Sequence, residues 1–319
     1  MMNAPLSAAI VVVLQTALLV LVAPLWGGAV TLVKSRLQMR QGPPLLQRYR
    51  DLIKLAGKET VLSEDASPLA RIAPYAILAA ALVICTWTPV LTTLPGMSFA
   101  GDLVMTVALF AAMRVLLALL ALEAGTTFGG MAASRHLALS ALAEPALMLS
   151  VFTLAIPAQS TDLARISAAV VATPDAWISP SHLLALTAMW IVVVSETGRV
   201  PVDNPVTHLE LTMIHEGMLL DVSGHHLALL EWAASIRQLL LLTLVANLFL
   251  PWGICSDISP AGLATALLAW LAKLAVFAVM VALTESVTAK MRLFRVPEFL
   301  GMAFLLALLA LTSDSLLRG

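Results

Sequence analysis

Eight long, nearly uncharged apolar stretches, near residues 7–33, 69–94, 102–122, 136–158, 182–199, 236–253, 260–284 and 297–313, constrain this chain more than any other feature. A helix that crosses a bilayer needs about 20 mostly apolar residues, and each stretch meets or approaches that length. The stretches are rich in Leu and Ala and lack the two-residue alternation of a membrane strand. The expected fold is therefore all-α: a polytopic membrane protein of about eight transmembrane helices, forming one domain over 1–319. The first stretch carries no charge before Lys34, so it lacks the basic leader of a cleaved signal peptide and is read as a span. Composition agrees, because 12% of residues are charged against about 25% in soluble domains. A net charge of -1 excludes a nucleic-acid-binding chain. Cys85 and Cys255 are the only cysteines, too few for an iron–sulfur cluster, which takes about four thiolates.

Eight spans make the loops alternate between two sides. Of the 18 Lys and Arg residues, 14 then fall on one side, only Arg165 and Arg318 on the other, and Arg114 and Lys273 inside spans. The positive-inside rule places loops 34–68, 123–135, 200–235 and 285–296 in the cytoplasm and both termini on the outer side. In the first of these loops Gly42, Pro43 and Pro44 form a turn. Beyond it Leu45, Tyr49, Leu52, Ile53 and Ala56 recur at helical spacing, with Arg48, Arg50, Asp51, Lys54 and Lys58 on the opposite face. That pattern predicts a short amphipathic helix in the membrane interface. It serves either as a basic loop touching headgroups or as a docking platform for a soluble partner.

The third cytoplasmic loop is acidic. Glu196, Asp203, Glu210, Glu216, Asp221 and Glu231 face only Arg199 and Arg237, and four histidines (His208, His215, His225, His226) lie among them. The loop also carries Leu209, Leu211, Met213, Ile214, Met218, Leu219 and Leu220, so it is expected to fold back among the helix ends and bury part of its acids. Within the spans stand Glu144, Arg114 and Lys273, with Glu123 and Glu285 at cytoplasmic ends. An ionisable group at the bilayer centre costs roughly 2.5–3.5 kcal/mol on insertion scales and usually marks an ion path. Buried carboxylates with raised pKa values can pass protons, so a file of them reads as a proton relay. The competing reading makes Glu144 interhelical glue, paired with Arg114 or Lys273. A zinc site is not expected, because His215-Glu216 is not followed by a second histidine at the required spacing. The histidines read as hydrogen-bonding or proton-handling groups.

Five segments in order carry a resemblance: Arg36–Pro43 with Asp51–Leu55, Ala133–Arg135 followed by Glu144, Glu196–Asp203, His208–Glu216 and Lys290–Leu300. Together they resemble the membrane subunit 1 family of respiratory complex I, most strongly its branch in energy-converting [NiFe] hydrogenases of the formate hydrogenlyase and hydrogenase-4 type. The resemblance implies a bacterial inner-membrane subunit that joins a peripheral redox arm to ion-translocating membrane subunits. It implies hydrogenase large and small subunits, iron–sulfur subunits and antiporter-like subunits as partners, besides the lipid bilayer. It also implies that Glu144, Glu196, Asp203, Glu210 and Asp221 form the acidic chain, that Arg36, Arg40 and Gly42 meet the peripheral arm, and that Lys273 occupies a family lysine position. No cofactor is expected in this chain: the nickel–iron centre and clusters belong to partners. Val206 and His208 stand where the quinone-reducing branch has acids, which favours the hydrogenase branch over a quinone chamber. The alternatives are a quinone-chamber subunit of a complex I-like enzyme and, from another class, a structural anchor or stand-alone ion transporter.

Overall fold

The computed structural model describes residues 4–93, 101–203, 213–256, 259–289, 291–292 and 295–318. Ten α-helices follow one another among these residues: α1 Ala4–Leu37, α2 Gln47–Ala56, α3 Pro68–Trp87, α4 Leu103–Glu123, α5 Thr127–Ala158, α6 Leu163–Ala172, α7 Pro180–Glu196, α8 Gly224–Leu244, α9 Pro260–Val287 and α10 Val296–Arg318. Local chemistry sets several starts. Ser67, Ser179 and Ser259 cap α3, α7 and α9 with their side-chain oxygens, each followed by Pro at the first helical position, where its missing N–H is not needed. Asp102, Thr126 and Asp162 cap α4, α5 and α6 in the same way. A π-helical turn, Val245–Phe249, extends α8.

Seven of the described helices are long and apolar enough to cross a membrane. The exception among the eight expected spans is α7, which has 17 residues, about 26 Å at 1.5 Å per residue against a hydrocarbon core of about 30 Å. Three boundaries differ from the sequence reading. Helix α5 begins at Thr127, so most of the expected loop 123–135 is helical; Ser134, Arg135 and His136 dilute its apolar character. Helix α8 begins at Gly224, so His225, His226 and Glu231 belong to it rather than to a loop ending at 235. Helix α6 and the 3-10 turn Pro174–Ile178 occupy the connection between α5 and α7.

Helix α10 packs against α5 and α7, α3 packs against α4 and α8, and α1 packs against α9 and α8. The amphipathic α2 lies on α1 and α8. Gly28 permits this, because a Cβ there would stand 2.4 Å from the Leu45 carbonyl oxygen. The predicted faces of α2 need one correction. Arg48 is partly buried and Ile53 is exposed, since the helix turns Arg48 over Gly27 of α1.

Candidate functional site

The shortness of α7 creates the site. Its C-terminal residue, Glu196, lies level with Arg114, which is about 14 Å inside α4 from Glu123 at 1.5 Å per residue. The chain after Glu196 therefore turns inside the protein. Irregular backbone at membrane depth is tolerated only where protein or water satisfies it. Gly198 supplies the left-handed conformation (φ 59°) at which the turn begins. The N–H groups of Val202 and Asp203 close back on the Arg199 carbonyl. Arg237 Nη2 of α8 donates to the Glu196 carbonyl oxygen at 3.0 Å. Asp203 Oδ2 accepts from the N–H groups of Ile214 and His215 at 3.2 and 3.3 Å, which holds the returning end of the loop.

Two ion-pair clusters result. In the first, Arg114 reaches Glu144 of α5 at 2.6 Å and Glu196 of α7 at 2.7 Å, with Arg237 3.9 Å from the other Glu196 oxygen. The Arg114 and Glu196 side chains are 3% and 5% exposed, whereas that of Glu144 is 31% exposed. In the second, Glu285 of α9 accepts from Lys34 of α1 at 2.7 Å and from Arg199 at 2.9 Å. These acids are not the bare file of carboxylates expected from sequence. The structure gives Glu196 and Glu285 two cationic partners each.

A cavity of about 120 Å³ lies between α2, α8 and the turn, lined by Arg48, Arg199, Arg237, Asp203, Glu216 and Glu231 among others. Burial first, and then Arg199 opposite, lowers the Arg48 guanidinium below its ordinary range. Burial, with Arg237 and His136 nearby, pushes the His215 imidazole down to about 3, so it is neutral at physiological pH.

The structure thus brings together Glu144, Glu196, Asp203, Glu216 and Glu285. It separates others. Glu123 accepts from the Ser67 N–H, Asp221 accepts from Thr126 Oγ1 at 2.8 Å, and both line a different cavity of about 420 Å³. Lys273 pairs with no acid among the described residues. It donates to the Ala246 carbonyl and to Asn247 Oδ1 of the π-helical turn at 3.1 and 3.2 Å, beneath the Trp252 ring. Glu210 lies outside the described residues. Of the expected docking residues, Arg36, Arg40, Pro43, Asp51 and Lys54 are exposed, Gly42 is half-buried against Ser35, and Arg48 points inward. The cationic half of the network (Arg199, Arg237 and Lys34) was not assigned a role from sequence, nor was His136. A basic residue within an apolar stretch is the signal that reveals such a partner, as Arg114 does.

Comparison with known proteins agrees with this architecture. A family model described as NADH dehydrogenase matches residues 8–313. The chain is 34% identical over 300 residues to formate hydrogenlyase subunit 4 of Escherichia coli K12, covering 94% of this chain and 96% of that one. It is 33% identical over 297 residues to hydrogenase-4 component C of the same organism, covering 93% and 92%. A subunit of the membrane-bound sulfane sulfur reductase, an archaeal respiratory membrane complex, shares the fold with a TM-score of 0.79 at 19% identity, over 97% of this chain and 98% of that one. The chain belongs to the NADH dehydrogenase family, in its subunit 1-type membrane form.

Proposed function

We propose that this chain is the membrane-anchoring and proton-coupling subunit of a membrane-bound [NiFe] hydrogenase of the formate hydrogenlyase or hydrogenase-4 type. Two relatives bearing those names align over more than nine-tenths of the chain. The observation that carries the coupling role is Arg114 joining Glu144 and Glu196 across three helices at 2.6 and 2.7 Å. The order runs from the cytoplasmic loop (Asp203) through Glu196 to Glu144. Glu144 meets Arg114, which is about 14 Å inside α4. A carboxylate 31% exposed at that depth is unfavourable against lipid and favours a neighbouring membrane subunit on that face. Antiporter-like subunits fit this position. Hydrogenase large and small subunits and iron–sulfur subunits, which would hold the nickel–iron centre and the clusters, would sit on the cytoplasmic face that presents Arg36, Arg40 and Lys54. Both termini then lie outside a bacterial inner membrane.

The cavity beneath α2 lacks the volume and the apolar lining of a quinone pocket. Small-molecule pockets are about 300–1,000 Å³ and mostly apolar, whereas the cavity beneath α2 is about 120 Å³ with three guanidinium groups on its wall.

The test is the assembled complex in sealed vesicles, with reduced viologen as electron donor. Glu144→Gln and Glu196→Gln should leave assembly intact and impair proton translocation. Wild-type translocation in both variants would refute the relay.

A further inference from the structure

A third, much smaller cavity lies beside Glu196. Its volume is about 20 Å³, and its walls include His136 and Ser140 of α5, Glu196 of α7, and Asp203 and His215 of the turn and returning loop. A space of at least about 10–15 Å³ with two to four polar partners holds one water. His136 is 7% exposed, and its Nε2 is buried with no hydrogen-bond partner among the described residues. Such an atom is unfavourable by about 1–3 kcal/mol unless a ligand or water satisfies it. Packing alone is therefore better served by an apolar side chain at this position. The imidazole stands 6.3 Å from the His215 ring, centroid to centroid. The other charged groups that act on it are Arg237, Glu196 and Arg114.

We propose that His136, acting through one water in this cavity, is the proton-transfer residue between the Asp203–His215 loop and Glu196. The proposal rests on the relay reading above and adds a station to it. Imidazole accepts at one ring nitrogen and donates from the other. A proton arriving from the cytoplasmic loop binds the ring, and one leaves it for the Glu196 carboxylate. The ring returns to neutral and no electron moves. His136 and Glu144 lie eight residues apart on α5, about 12 Å, so one helix carries the first and last membrane stations, with Glu196 and Arg114 between them.

The experiment measures proton translocation per hydrogen evolved in vesicles containing the native complex. His136→Ala should lower the ratio at least tenfold, with the soluble subunits retained. Added imidazole should restore it, while pyrrole, of the same shape but without a basic nitrogen, should not. If His136→Ala fails to assemble, His136→Asn keeps a polar contact to the cavity without an exchangeable ring proton and should show the same loss. Translocation at the wild-type ratio in the assembled variant, together with loss in Glu196→Gln, overturns the His136 assignment and leaves the relay standing. Wild-type ratios in both overturn the relay itself. Equal rescue by pyrrole and imidazole makes His136 a space-filler and also overturns the proposal.

Discussion

Replacing Arg114 by Met removes one cation that serves two carboxylates. Arg114 is 2% exposed and lies 2.6 Å from Glu144 and 2.7 Å from Glu196. Without it, Glu196 keeps only Arg237, at 3.9 Å, and Glu144 keeps no cation among the described residues. At an effective dielectric of about 20, charges about 4 Å apart attract by roughly 4 kcal/mol. Removing one member of a buried pair destabilises by about 3–5 kcal/mol, because the other charge is left uncompensated. The Glu196 arm dominates; the Glu144 arm is discounted because that side chain is 31% exposed and solvent or a partner screens it. Arg114→Met should therefore destabilise the chain by about 3–5 kcal/mol, which lowers the unfolding midpoint on the order of 10 °C. Arg114→Lys should fall between, since an ammonium does not present a planar fork to two carboxylates. Cys85 is buried, so in a Cys255→Ser background the extent of thiol labelling at Cys85, read by mass spectrometry of its peptide, reports unfolding of this chain within the purified complex. The decisive variant is Arg114→Met combined with Glu196→Gln, which removes cation and anion together and should recover most of the loss. If the double variant is as unstable as Arg114→Met alone, or if Arg114→Met is as stable as the parent, the ion pair does not hold these helices together.

Acid should weaken the fold through His215. Its imidazole sits at about 3 while an unfolded chain titrates near 6.5, so the unfolded state binds more protons between these values, and stability falls as pH drops through that window. The loss reaches up to about 2 kcal/mol at pH 5, and His215→Gln should flatten the pH 5 to pH 8 difference in unfolding midpoint; an unchanged slope contradicts it. Reversing charge at Arg36 and Arg40, which are exposed in and just after the last turn of α1, should make the soluble subunits dissociate at lower salt, and unchanged co-purification across a salt series counts against this docking face. An alkaline phosphatase fusion at the C-terminus should be active and one placed after Lys58 inactive; the reverse pattern inverts the orientation.

Much of the architecture was legible because bilayer thickness acts on helix length, which apolar runs record directly. The caps at Ser67-Pro68, Ser179-Pro180 and Ser259-Pro260 follow a local pattern that the sequence reading did not use. The early starts of α5 and α8 were not legible, because polar residues in their N-terminal turns (Arg135, His136, His225 and Glu231) resemble loop when burial by neighbouring helices is unknown. The identity of the charged residues was visible, but not their pairing. Glu285 meets Lys34 across 251 positions and Arg199 across 86, separations at which spacing carries no signal. Arg48 was assigned to the solvent face of α2 because a helical wheel does not say which face meets a guanidinium-lined cavity. Lys273 finds backbone and amide oxygens in a π-helical turn, a partner type without a sequence pattern.

The short α7 explains why the residues that hold the turn are also those of the proposed proton relay. Had α7 run three or four residues further, Glu196 would be followed by helix, and the Glu196 carbonyl and the Ile214 and His215 N–H groups would not need side-chain partners. Because it stops inside the protein, Arg237 satisfies the Glu196 carbonyl and Asp203 satisfies the loop N–H groups. Truncation to Ala at these positions therefore removes a backbone hydrogen bond along with a titratable group, and any loss of coupling would be confounded with loss of fold. Amide substitutions separate the two at Asp203: Asp203→Asn keeps an oxygen that accepts from Ile214 and His215 but no longer binds an exchangeable proton. A chain with Asp203→Asn that unfolds like the parent yet translocates protons poorly assigns Asp203 to proton handling; parallel loss of both assigns it to the turn.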